Sequence, residues 1–166
     1  FFRLEKYQER LLALYRDRPN FVQPASRRNE VISFVEGGLR DLSVSRTSFS
    51  WGIPVPSKLS EKPHVMYVWF DALTNDISTL GWPEDRDGTF EKFWVNGQTL
   101  QLAGKDQVRF QSIMWQAMLK SADVPATKQV SYHGFINSGG QKMSKSLGNV
   151  ISPYGMITRY GADATR

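Results

Sequence analysis

Residues 99–136 carry the pattern that most restricts how this chain can fold. An apolar run at 99–103 is followed by a stripe of Phe110, Ile113, Met114, Ala117 and Met118, and then by a second run at 129–136. The stripe recurs at i, i+3, i+4, i+7 and i+8, which puts all five side chains on one face of an α-helix. Strand, helix and strand in this order predict a right-handed crossover between two parallel strands. A third run, His64-Val65-Met66-Tyr67-Val68-Trp69-Phe70, is nearly unbroken in apolar and β-branched residues, as expected of a strand covered on both faces. The expected fold class is α/β: half of a doubly wound, Rossmann-like parallel sheet preceded by a helical segment. In such sheets ligands lie beyond the carboxyl ends of the strands, and Phe70-Asp71, Gly104-Lys105-Asp106 and His133-Gly134 occupy those ends.

The flanks read as helices. Leu4, Tyr7, Leu11, Leu14 and Tyr15 predict an amphipathic helix over 3–16, ended by Arg18-Pro19-Asn20. Ser26 is the expected N-cap of a second helix that Gly37-Gly38 stops. Asp106 can cap the helix that follows it, and Ser152-Pro153 opens a short one closed by Gly161. This suggests a helical annex at 1–50 and an α/β domain at 51–166. No apolar stretch approaches membrane-spanning length and no signal peptide is recognisable, so a membrane partner or export is not expected. With no cysteine among 166 residues the chain can form neither a disulfide nor a cysteine zinc knuckle, and no metal site is expected. The net charge of +5 suits a polyanionic partner.

The run Lys142-Met143-Ser144-Lys145-Ser146 lies between Gly139-Gly140 and Leu147-Gly148-Asn149. Two lysines three residues apart can meet neighbouring oxyanions of one polyphosphate, the serines add hydroxyl donors, and the glycines let the loop close. A fixed five-residue string arises by chance in about one chain of this length in twenty thousand, so the motif is specific.

This string is the signature loop of class I aminoacyl-tRNA synthetases, and its surroundings resemble the methionyl-tRNA synthetase family. Arg27-Arg28-Asn29-Glu30, Ser45-Arg46-Thr47, Trp51-Gly52-Ile53-Pro54-Val55-Pro56, Tyr67 to Asn75, Gly104-Lys105-Asp106 and His133-Gly134-Phe135-Ile136 all follow in that family's order. The resemblance implies ATP-dependent activation of methionine and its transfer to tRNA, with ATP and Mg²⁺ as cofactors, in the cytoplasm or the mitochondrial matrix. It implies that Lys142 and Lys145 are catalytic, that Met143, Ser144 and Ser146 complete the phosphate loop, that His133 and Gly134 lie beside adenine, and that Gly104 and Asp106 lie near the ribose. It puts Trp69, Ala72, Leu73, Asp76, Gln107 and Gln111 around the amino acid. His64 and His133 are the only histidines, so the family's other ATP signature, His-x-Gly-His, is not in these residues. The resemblance therefore implies the C-terminal half of the catalytic domain, with an N-terminal half as partner.

Some positions depart from the family pattern. Asp76 stands where the family usually has tyrosine, and Gln107 and Gln111 stand where it has an aliphatic residue and a histidine. At i, i+4 and i+8, Gln107, Gln111 and Trp115 are expected on one helical face bordering the pocket. An acid and two amides make a wetter slot than a thioether requires, since each unpaired buried polar group costs about 1–3 kcal/mol. Thr127, Ser131 and Thr165 are further polar departures, expected on faces that the other half would cover. Two alternatives follow: a stand-alone ATP- or polyphosphate-binding half-domain, or a fragment made soluble by engineering or divergence and without full catalytic activity.

Overall fold

The helical stripe at 110–118 forms, and it divides the interior into two packed clusters. In the computed structural model, which describes residues 1–59 and 62–166, the chain separates into two units, Phe1–Tyr132 and His133–Arg166. The first unit contains a 3₁₀ turn Leu4–Tyr7, helix α1 Gln8–Asp17, strand β1 Val22–Gln23 and helix α2 Ala25–Glu36. There follow β2 Ser45–Arg46, β3 Val65–Met66, α3 Val68–Ser78, β4 Leu100–Gly104, α4 Trp115–Ser121 and β5 Gln129–His133, whose last residue is the first of the second unit.

The main sheet is parallel and three-stranded, in the order β1-β5-β4. Val22 stands opposite Val130 and Gln23 opposite Ser131. Two of the expected strands are therefore present, shifted by a residue or shortened, while the third strand of this sheet is Val22–Gln23. Residues 64–70 are a correction. Only Val65–Met66 is a strand, and it pairs antiparallel with Ser45–Arg46 outside the main sheet. From Val68 the chain is helical, because Trp69, Phe70, Leu73 and Ile77 recur at helical spacing and bury one face. A continuous apolar run looks the same for a buried strand and a buried helix, so periodicity within seven residues could not separate them. Phe70-Asp71 is thus not the end of a strand.

The first cluster packs α1 and α2 over the sheet: Leu11, Val35, Ala117 and Val130 are each 0% exposed, with Tyr15, Phe21, Val22 and Val31 beside them. The second joins Leu73 and Ile77 of α3 to Trp94, Met114, Trp115, Leu119 and Val124. Each fully buried aliphatic side chain contributes about 1.5–3 kcal/mol. Residues 1–50 supply a strand and much of the first cluster, so the packing does not divide the chain after residue 50. The cap of α2 is Pro24, whose carbonyl accepts from Arg27 N at 2.9 Å, and Ser26 lies within the first turn.

The second unit starts with a two-stranded hairpin, β6 Asn137–Ser138 and β7 Gln141–Lys142, turned by Gly139 (φ 60°) and Gly140 (φ 78°). Successive positive φ angles are those of the two-residue hairpin turn that matches strand twist, and glycine adopts them without strain. A 3₁₀ turn Lys145–Leu147 follows, then α5 Pro153–Tyr160 and α6 Ala162–Thr165. Ser152 and Pro153 open α5 and Gly161 closes it, as the sequence indicates. Among the described residues no helix is long and apolar enough to cross a membrane.

Candidate functional site

The signature loop is built on the hairpin of the second unit. Lys142 is the last residue of β7, paired across the ladder with Asn137, and Met143 N donates to Ile136 O at 2.8 Å. Ser144 then caps the 3₁₀ turn: its Oγ accepts from Ser146 N at 3.2 Å and lies 2.7 Å from Ser146 Oγ. Lys145 and Ser146 project from this turn, and Gly148 closes it at φ 66°. Lys142 and Lys145 are both exposed, and the Lys142 ammonium lies 3.8 Å from the centroid of the Phe135 ring. Asp163 is the only carboxylate side chain in residues 133–166, against Lys142, Lys145, Arg159 and Arg166. His133 is exposed, with Nδ1 2.6 Å from Gly134 O. A Cβ at Gly134 would meet nothing within 4 Å.

The other sequence-derived site residues belong to the first unit. A Cβ on Gly104 would lie 2.6 Å from Asp106 Oδ1, so the carboxylate folds back over the glycine and a larger residue there would displace it. The expected cap is corrected: Asp106 lies inside a 3₁₀ turn, Lys105–Gln107, whose cap position is Gly104, with no side-chain cap. Trp69 stacks on Phe110 with ring centroids 4.0 Å apart and planes at 16°. Leu73 is buried in the second cluster, whereas Ala72, one residue earlier, is exposed.

Asp76 ends a chain of hydrogen bonds that runs from the buried Gln116 and Thr127 to the half-buried Gln101 and Asp76. Gln101 Nε2 donates to the Asp76 carboxylate, Thr127 Oγ1 donates to Gln101 Oε1 at 2.8 Å, and Gln116 Nε2 donates to Thr127 Oγ1 at 3.1 Å. All three donors point the same way, toward the carboxylate. Burial raises the Asp76 carboxyl above its ordinary range, and the Gln101 hydrogen bond offsets part of that rise. Thr127 and Gln116 are 0% exposed. Thr127 is therefore a core residue of this chain, not part of a face left for another segment, and Ser131 is half-buried on β5. Thr165, also half-buried, donates its hydroxyl to Gly161 O at 2.7 Å.

The shared face for Gln107, Gln111 and Trp115 is corrected too. Residues Phe110–Met114 form a π-helical turn between the 3₁₀ turn and α4, and the wider turn shifts the register that an i, i+4, i+8 count assumes. Gln111 Oε1 and Trp115 Nε1 are buried without a hydrogen-bond partner among the described residues, and Gln107 is half-buried. Three residues of these arrangements escaped the sequence reading. Gln101 and Gln116 could have been noticed as amides inside otherwise apolar segments, whereas Asn149 offered no signal beyond its place after the motif.

The profile of the family described as tRNA synthetases class I (M) matches residues 1–166. The chain belongs to the class I methionyl-tRNA synthetase family. It is 51% identical over its whole length to methionine--tRNA ligases of Brucella suis biovar 1 and Rickettsia bellii. It spans 31% of the length of either relative. The fold likeness agrees: a Mycobacterium tuberculosis methionyl-tRNA synthetase bound by methionyl-adenylate superposes with a TM-score of 0.81 at 46% identity, over 99% of this chain and 31% of that one. Its apo form gives 0.77 at 43% identity over 99% of this chain and 30% of that one. Synthetase ancestry thus extends through both units.

Proposed function

We propose that the chain is the part of a methionyl-tRNA synthetase that handles the phosphates of ATP during amino-acid activation. In that reaction a methionine carboxylate oxygen attacks the α-phosphorus, a new P–O bond forms, and the bond to the bridging oxygen breaks as pyrophosphate leaves. The product, methionyl-adenylate, then passes its aminoacyl group to tRNA. The observation that carries this reading is the signature loop, with two exposed lysines at the end of a hairpin and in the turn that follows it. Cations on a loop able to close stabilise the charge that grows on the phosphates, and a single well-aimed donor of this kind is worth about 3–4 kcal/mol.

In this reading Lys142 and Lys145 act on the phosphates, Met143, Ser144 and Ser146 shape the loop, His133 and Gly134 border adenine, and Gly104 and Asp106 border the ribose. Trp69, Ala72 and Leu73 shape the amino-acid slot. Mg²⁺ would arrive bound to the phosphates of ATP. The remainder of such an enzyme, including its tRNA contacts, would come from outside residues 1–166. Residues 1–50 would be the end of its connective insertion, and its compartment the cytoplasm or the mitochondrial matrix.

Replacing Lys142 and Lys145 together by alanine tests this. Pyrophosphate affinity should fall at least about tenfold, or about 1.4 kcal/mol, with Tm nearly unchanged, because exposed loop cations contribute little to folding. Unaltered binding, or a collapse of Tm, would sink the reading. A second reading, a polyphosphate-binding module that does not activate methionine, is favoured by the carboxylate of Asp76, which the resemblance assigns to the amino-acid slot and which ends the chain Gln116–Thr127–Gln101–Asp76. Methionine-dependent ATP–pyrophosphate exchange, measured with and without the remainder of a synthetase, separates the two.

A further inference from the structure

Asn149 follows the signature motif and turns back into it. Gly148, in the left-handed region at φ 66°, reverses the chain so that the Asn149 side chain meets the mouth of the loop. Its Oδ1 accepts from Ser144 N at 2.8 Å, while Nδ2 donates to Lys142 O at 3.2 Å and to Ser138 O at 3.4 Å. One primary amide, with two donors and an acceptor, thus ties the end of β6, the end of β7 and the start of the 3₁₀ turn to one point. Other bonds in this region, Met143 N to Ile136 O, Leu147 N to Ser144 O, Gly148 N to Lys145 O and Ile151 N to Met143 Sδ, join neighbouring segments, and the Asn149 side chain joins three of them at once.

Resting on the phosphate reading above, we infer that Asn149 is a positioning residue that sets where Lys142 and Lys145 stand toward a polyphosphate. The Lys142 carbonyl accepts from Asn149, and its ammonium lies over the Phe135 ring. Lys145 follows Ser144, whose amide Asn149 accepts, so the whole 3₁₀ turn takes its direction from that bond. An aspartate would keep the acceptor but lose both donors and bring negative charge to the phosphates. Alanine would lose all three bonds. A displacement of about 1 Å in a group that aligns reacting charge can cost about 10²-fold.

The test uses residues 1–166 and inorganic pyrophosphate, titrated calorimetrically, with thermal melting and hydrogen exchange at the Ser144 amide as parallel readings. Asn149→Ala should weaken pyrophosphate binding about tenfold and speed Ser144 exchange while leaving Tm in place. Asn149→Gln keeps donor and acceptor on a longer arm and should recover part of both. If Asn149→Ala binds like the unmodified chain while the double lysine variant binds weakly, the positioning role is overturned and the phosphate reading stands. If the double lysine variant also binds normally, or the unmodified chain shows no measurable binding, the phosphate reading falls and the inference with it. Loss of affinity in step with a lowered Tm in both asparagine variants would make Asn149 merely structural, which also overturns the proposal.

Discussion

The two units of this chain are held together by different physics. Phe1–Tyr132 has two buried apolar clusters, whereas not one residue of His133–Arg166 is buried. The first unit closes by removing apolar area from water. The second is organised by a hairpin ladder, two positive-φ glycines at its tip and side-chain-to-backbone bonds, many of them through Asn149. Substitutions in the cores of the first unit should therefore be read in stability, and substitutions in the second should leave stability nearly unchanged.

The strongest challenge to this contrast is Trp115→Ala, at a residue 1% exposed between Trp94 and the rest of the second cluster. A loss of about 3–5 kcal/mol is expected in urea denaturation, and a loss below about 1 kcal/mol would break the comparison. Next comes Thr127→Val, which keeps the shape but leaves Gln101 Oε1 without its donor and removes one of the two bonds of Gln116 Nε2, which also donates to Gln111 O at 3.0 Å. It should destabilise by about 1–3 kcal/mol at neutral pH by the same measurement. A neutral result would mean that the amides find other partners.

Asp76→Asn sharpens the comparison through pH. Burial raises the Asp76 carboxyl in the folded state, so folding favours its protonated form. The stability tied to that proton is fully present below the unfolded carboxyl's pKa of about 3.9 and is lost as pH rises through the raised folded value. An asparagine carries no such dependence. The Tm of Asp76→Asn should therefore exceed that of the unmodified chain at pH 7, and the gap should shrink on acidification. A constant gap, or one of opposite sign, would show that the hydrogen bond from Gln101 outweighs burial. The smallest effect is expected at Leu147→Ser in the second unit, where Leu147 is 58% exposed. Its unfolding free energy should stay within about 0.5 kcal/mol of the unmodified value, and a larger drop would reveal a core where none is seen.

Much of the fold was legible because its signals were local. The stripe at Phe110, Ile113, Met114, Ala117 and Met118, the runs that became β4 and β5, and the Gly-Gly and Ser-Pro punctuation all express preferences that a few neighbouring residues carry. The family was legible for a similar reason: a contiguous string such as Lys142 to Ser146 keeps its meaning without a fold. Tertiary structure decided what depended on partners far along the chain. Val22–Gln23 is a strand because Val130 and Ser131 lie beside it, and two residues have no period of their own. Val68–Ser78 is helical because Leu73 and Ile77 meet Trp94, Met114 and Trp115, while the apolar run alone served a strand equally well. Thr127 is a core residue because Gln101 and Gln116 reach it from β4 and α4, a pairing no spacing announces. Hydrogen-bond satisfaction is settled by three-dimensional proximity, whereas residue type and local period are written along the chain.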